Sequence, residues 1–157
     1  MAEFQALETW AADMLAKLQP AQQRRLMVDM ARRLRTANSQ RMRAQTDPEG
    51  QAWEPRKKPA QALRGKREQL RQAAKQRKPM FAKLRQQKTL KAKAQDGAAV
   101  VEFMSRAQRI ARVHHFGETD AVNPGGPKYK YPARELLGIT EDDASSLRDA
   151  LMAHFTD

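Results

Sequence analysis

Between Arg56 and Gln95 the chain carries fifteen Lys and Arg against a single acid, Glu68. Forty residues with that charge cannot furnish the interior of a fold, because Lys and Arg are almost never fully buried without partners. The core must therefore come from the flanks, and these are electrically ordinary. Residues 1–55 hold 8 basic and 7 acidic groups and residues 96–157 hold 7 and 10, so the middle segment accounts for the net charge of +12. Such a segment meets a polyanion, docks on an acidic protein surface, or stays solvated. The 157 residues suit one functional domain with appendages. Its parts are an N-terminal helical region (1–46), a Trp loop with a basic arm (47–88) and an α+β core (89–157).

In the first part, Leu7, Trp10, Ala11, Met14, Leu15 and Leu18 recur every three or four residues and form one stripe of an amphipathic helix. Gln19-Pro20 ends it and opens another, since Pro is tolerated at a first helical position. Leu26, Met27, Met30, Ala31, Leu34, Ala37 and Met42 continue the helical spacing, predicting a helical hairpin with Trp10 and the methionines as core. Thr46-Asp47-Pro48-Glu49-Gly50 combines an Asx-type initiator with Pro and Gly, a strong turn signal. Residues 51–56, running up to Pro55 and Arg56, are then extended. Trp53 on this loop is either locally buried or an interface anchor; its short, irregular setting favours a role in assembly over one in folding.

The basic arm offers little to pack. Residues 60–78 contain only Leu63 and Leu70 as large apolar groups, so this stretch is expected to be the least ordered, either a solvated helix or a disordered arm. Met80, Phe81 and Leu84, just after Pro79, suggest a short docked helix. From Leu90 the apolar period changes to two: Leu90, Ala92 and Ala94 alternate with polar residues, Asp96-Gly97 supplies a two-residue turn, and Val100, Val101 and Phe103 follow. This predicts a β-hairpin over about residues 89–104. Ile110, Val113, His114 and Phe116 form the apolar stripe of a short helix capped by Gly117, and Tyr129 with Tyr131 marks a brief strand. Thr140 with Asp143 three residues on starts a final helix near Thr140. Its buried face is Leu147, Ala150, Leu151 and Phe155. The predicted class is α+β: N-terminal helical hairpin, basic segment, β-hairpin or small antiparallel sheet, C-terminal helix.

Chemistry is scarce. With no cysteine there is no disulfide, thiolate metal site or thiol nucleophile, which suits a reducing cytosol. His114 and His115 are adjacent, hence about 100° apart on a helix, and His154 is remote, so no metal site is expected. Ser105, Ser145 and Ser146 lie in no nucleophile-elbow setting. Gly125-Gly126-Pro127-Lys128 lacks the strand before and the helix after it that a phosphate loop requires. No catalytic residue, cofactor or metal is expected, nor a membrane span, since no run reaches ~18 apolar residues. The start of the chain, MAEFQALETW, lacks the basic and apolar regions of a signal peptide. As a nucleic-acid reader the basic segment has only Phe81 as an aromatic, so non-specific polyanion contact is the most it supports.

Two blocks of sequence carry a resemblance: DPEGQAWEPRK after the helical region, and VVEFMSRAQRIARVHHFGE followed by YPARELLGITEDD. They resemble the bacteriophage virion morphogenesis family, the tail completion proteins of contractile-tailed temperate phages. The matching positions are Gly50 and Trp53, then Ile110, Ala111, His114, Phe116 and Gly117, then Pro132, Arg134, Leu137, Gly138, Ile139, Thr140 and Asp143. Where the family pattern would carry Gln, this chain has His115, so no individual role passes to either imidazole. The resemblance implies a non-enzymatic structural protein of the virion neck, assembled in the host cytoplasm, that makes the head-proximal end of the tail competent for head-tail joining. It also implies a homo-oligomeric ring, sixfold like the tail, touching other neck and tail-terminator proteins. Trp53, Arg56, His114, Phe116, Gly117, Pro132, Arg134, Leu137 and Gly138 are then the interface or structural candidates. Arg134, fixed between Pro132 and Leu136-Leu137, is expected to hold a carboxylate of its own or a neighbouring subunit. The alternative is a basic, non-specific nucleic-acid-binding protein.

Overall fold

The computed structural model describes residues 2–57 and 65–156. Its first two helices are α1 (Ala2–Leu15) and α2 (Pro20–Ala44), with Pro20 in the first turn of α2 as its pre-set backbone angle allows. The Gln23 side chain donates to the carbonyls of Leu15 and Leu18, filling acceptors left over where α1 ends. Helix α2 closes at Gln45 in the left-handed conformation. The expected turn follows: the Asp47 carboxylate accepts the Gln51 N–H at 2.7 Å, and Thr46 pairs with Ala52 across it.

Beyond the loop, α3 (Lys66–Arg77) is the solvated-helix alternative, with no buried residue. The part of the order expectation that falls on residues 58–64, with Leu63 and Arg64, lies outside the described residues. Met80, Phe81 and Leu84 dock as expected, but as consecutive turns and not as a helix, because Phe81 takes a positive φ of 60°. The Gln45 side chain anchors them, accepting the Met80 N–H at 2.7 Å and donating to the Met80 carbonyl at 3.1 Å.

The hairpin stands where the change of period places it. Strands β1 (Leu90–Gln95) and β2 (Ala98–Phe103) pair antiparallel from Leu90–Phe103 to Gln95–Ala98. Asp96 and Gly97 both take positive φ, 51° and 75°, which matches a two-residue turn to the twist of the strands. Helix α4 (Arg106–Phe116) ends at Gly117. It is followed by β3 (Thr119–Ala121) and β4 (Lys128–Lys130), an antiparallel pair that includes Tyr129 of the expected strand. Helix α5 (Glu141–Thr156) starts with a reciprocal cap: Asp143 Oδ2 accepts the Thr140 N–H at 2.9 Å and Thr140 Oγ1 accepts the Asp143 N–H at 3.1 Å. The class is α+β. No described helix is long and apolar enough to cross a membrane.

One correction concerns α4. Ile110 and Phe116 are exposed, and the buried residues are Ala111 and Val113, with Ala107 packed on the core. Small residues face inward there and let the helix approach closely, which leaves the larger apolar groups in solvent.

Helix α2 is the spine, packing on β1, β2 and α5. Near its start Leu26 and Met27 meet Leu151, flanked by Trp10, Met14 and Phe155. At its end Met42 joins Trp53, Met80, Leu84, Leu90, Ala111 and Leu136. Trp53 is 8% exposed, so this protomer holds it in the core and not on a free loop surface. The loop is too short to bury it, but the end of α2, the turns at 80–84 and Leu136 close over it. Trp53→Ala is expected to cost about 3–5 kcal/mol, seen as a lower urea midpoint; unchanged stability with failed assembly would return the residue to an interface role.

Candidate functional site

Three stretches remote in sequence converge here: the Trp loop at 53–57, the end of α4 with its cap at 114–117, and the segment at 131–138. The last has no regular secondary structure, yet its backbone is held by four of its N–H groups. Tyr131 N–H donates to the Glu118 carbonyl at 3.1 Å and Arg134 N–H to the His114 carbonyl at 2.7 Å. Leu136 N–H donates to His115 Nδ1 at 3.1 Å, and Gly138 N–H to Asn38 Oδ1 at 2.9 Å. Because His115 Nδ1 accepts, its proton is on Nε2.

Two glycines permit the close approach. A Cβ on Gly117, already at φ 68°, would stand 2.8 Å from the Ala133 nitrogen, and one on Gly138 would collide with Pro48 Cγ in the Asp-Pro turn. Arg41 completes the docking, donating from Nη2 to the Gly138 carbonyl at 2.9 Å and from Nη1 to Asp143 at 2.8 Å.

Aromatic rings run from core to surface through this junction. Trp53, Phe81, His114, Tyr131 and Tyr129 follow one another edge to face at centroid separations of 5.5, 4.9, 4.7 and 5.0 Å. The Lys57 ammonium lies 4.9 Å from the Tyr129 ring centre and ends the series. The outer end opens on a cleft of about 310 Å³ lined by Glu54, Pro55, Arg56, Lys57, His114, Tyr129, Tyr131, Pro132 and Arg134.

Of the candidates, Arg56, His114, Pro132 and Arg134 line this cleft, Trp53 and Gly117 sit behind it, and Leu137 and Gly138 continue the docked segment. Phe116 stands apart, 67% exposed, on a neighbouring cleft with Asp47, Glu54 and Glu135. Arg56 caps the end of α3, donating from Nη1 to the carbonyls of Lys75 and Lys78 at 2.8 and 2.6 Å. Arg134 is 5% exposed and meets no carboxylate of its own chain among the described residues; Nε donates to the Glu54 carbonyl at 2.8 Å and Nη2 to the Pro55 carbonyl at 3.2 Å. Loop carbonyls turned inward by Pro55 occupy the fork instead.

Reading by period alone missed Asn38, 3% exposed on the inner face of α2, and the Arg41–Asp143 pair. Asn38 falls four residues from both Leu34 and Met42. A polar residue in an apolar stripe signals a buried partner, here Gly138.

Burial lowers the His114 imidazole below its ordinary value of 6.5, and the charge of Arg134 adds to this. Its Nδ1 is buried with no hydrogen-bond partner among the described residues. No group of three potential metal ligands gathers among those residues either. The arrangement suits binding and positioning. Since the fold holds His114 neutral, the unfolded chain takes up more protons as pH falls through 6.5, so this contribution to stability is full above 6.5 and is lost towards the lowered folded value. Urea midpoints across that range should show the decline, and His114→Phe, which keeps the ring contacts, should flatten it; equal slopes would contradict this.

The model of the phage virion morphogenesis family matches residues 2–156. Tail completion protein S of Escherichia phage P2 is 34% identical over 155 residues, covering 98% of each chain. No solved structure matches.

Proposed function

The chain belongs to the phage virion morphogenesis family, and on that premise we propose that it completes the phage tail as a structural protein of the virion neck. The observation that carries this is the end-to-end similarity to a tail completion protein, 98% of each chain. The junction of the Trp loop, the α4 cap and the 131–138 segment supports it, because it forms a cleft lined by Arg56, Lys57 and Arg134 that suits docking of an acidic partner surface.

In the finer reading, the protein is a ring at the head-proximal end of the tail, sixfold like the tail itself, meeting other neck and tail-terminator proteins in the virion after assembly in the host cytoplasm. Closed rings of one chain use heterologous contacts, so each protomer must present two different patches. The competing reading, non-specific DNA contact, draws on the exposed basic face of α3. Its signature is an affinity that falls steeply with salt. Phe81, the sole aromatic in the basic segment, is committed to the ring series with Trp53 and His114 and cannot stack on bases.

Complementation tests the reading. A phage lacking this protein should accumulate filled heads and separate tails that do not join, and the wild-type chain supplied in trans should restore particles. Normal particles from the null phage would refute it.

A further inference from the structure

Arg134 is a buried cation without an anion. A charge withdrawn from water is costly unless paired and hydrogen-bonded, yet its bonds from Nε and Nη2 go to the neutral carbonyls of Glu54 and Pro55. Burial lowers this guanidinium below its ordinary value, and Arg56 adds to that; Glu54 and Tyr129 oppose it. Glu54 is the one acid lining the cleft, is itself exposed, and makes no ion pair with Arg134. Arg56 and Lys57 add two further positive charges at the mouth. The cleft therefore presents a built place for a carboxylate that this protomer leaves unsupplied.

The same protomer carries the complement elsewhere. A groove of about 520 Å³ between α2, the Asp-Pro turn and the start of α5 is lined by Asp47, Glu49, Asp142 and Asp143. Its one cation, Arg41, is engaged by Asp143 and the Gly138 carbonyl. Glu49 and Asp142 are exposed, and cleft and groove share no lining residue. We propose that the cationic cleft of one copy receives a carboxylate from the acidic groove of the next, which becomes the counter-ion of Arg134. This rests on the ring reading and names its heterologous contact: two different patches of opposite sign on one chain are what head-to-tail closure requires.

Charge reversal with a swap tests it in the full chain. Lys57, Glu49 and Asp142 are all exposed, so Lys57→Glu, Glu49→Lys and Asp142→Lys should leave the chain folded, with thermal unfolding lowered only slightly by loss of the Lys57–Tyr129 contact or of a first-turn acid of α5. Sedimentation of the purified protein, alone and on isolated tails, should show each single reversal weakening self-association about tenfold. Lys57→Glu combined with Glu49→Lys or with Asp142→Lys should recover most of the loss. Assembly indifferent to every reversal, or sensitive to Lys57→Glu alone with no rescue, would overturn the contact while leaving the ring standing. A wild-type chain that stays monomeric even on tails would overturn the ring and the contact together. If Lys57→Glu lowered only retention on DNA, the cleft would belong to nucleic acid and the proposal would fail.

Discussion

The docking of residues 131–138 is the constraint on which the rest depends. A half-buried stretch without sheet or helix must find a partner for each backbone polar group that it takes out of water, or pay about 1–3 kcal/mol for each left unsatisfied. Here those partners come from separate elements: the Glu118 and His114 carbonyls around the α4 cap, the His115 ring, and Asn38 on α2. The segment thereby fixes where α4 lies relative to α2 and closes the core over Trp53 and Leu136. Neither Gly117 nor Gly138 can carry a Cβ without displacing a neighbour, so the approach depends on absent side chains as much as on those present.

From that docking follow the properties of the surface. Segment 131–138 brings Arg134 beneath Pro55 and places Tyr131 against His114, so the cleft exists because the segment is seated. The basic residues then divide into two kinds. Arg56, Arg41 and Arg134 are structural donors to carbonyls or to Asp143. Those of α3 remain at the surface and contribute to the charge of the basic segment. A protein built in this way carries two oppositely charged patches on a small scaffold, a cleft with Arg56, Lys57 and Arg134 and a groove with Asp47, Glu49, Asp142 and Asp143.

Local signals in the sequence were legible wherever one residue type forces one backbone shape. Pro20, Asp47 with Gly50, Asp96-Gly97, Gly117 and Thr140 with Asp143 all stand where their chemistry places them. Packing was less legible. The stripe of Ile110 and Phe116 points outward because α4 meets the core through alanines, and Phe81 breaks a helix that apolar spacing alone suggests. Segment 131–138 has no periodicity to detect, so the carbonyls that Arg134 would meet and the amide of Asn38 waiting for Gly138 could not be foreseen from spacing. The resemblance located Arg134 and Gly138 but not Asn38, and the fold shows what each of them meets.

Amide hydrogen exchange on the isolated protein tests the central claim most directly, because it reads the 131–138 backbone without reference to assembly. The N–H groups of Arg134, Leu136 and Gly138 should exchange as slowly as those of buried positions in α2 and β1, opening only with the whole fold. Exchange at rates typical of an exposed loop, with α2 and β1 still protected, would contradict the account and leave the cleft without its foundation.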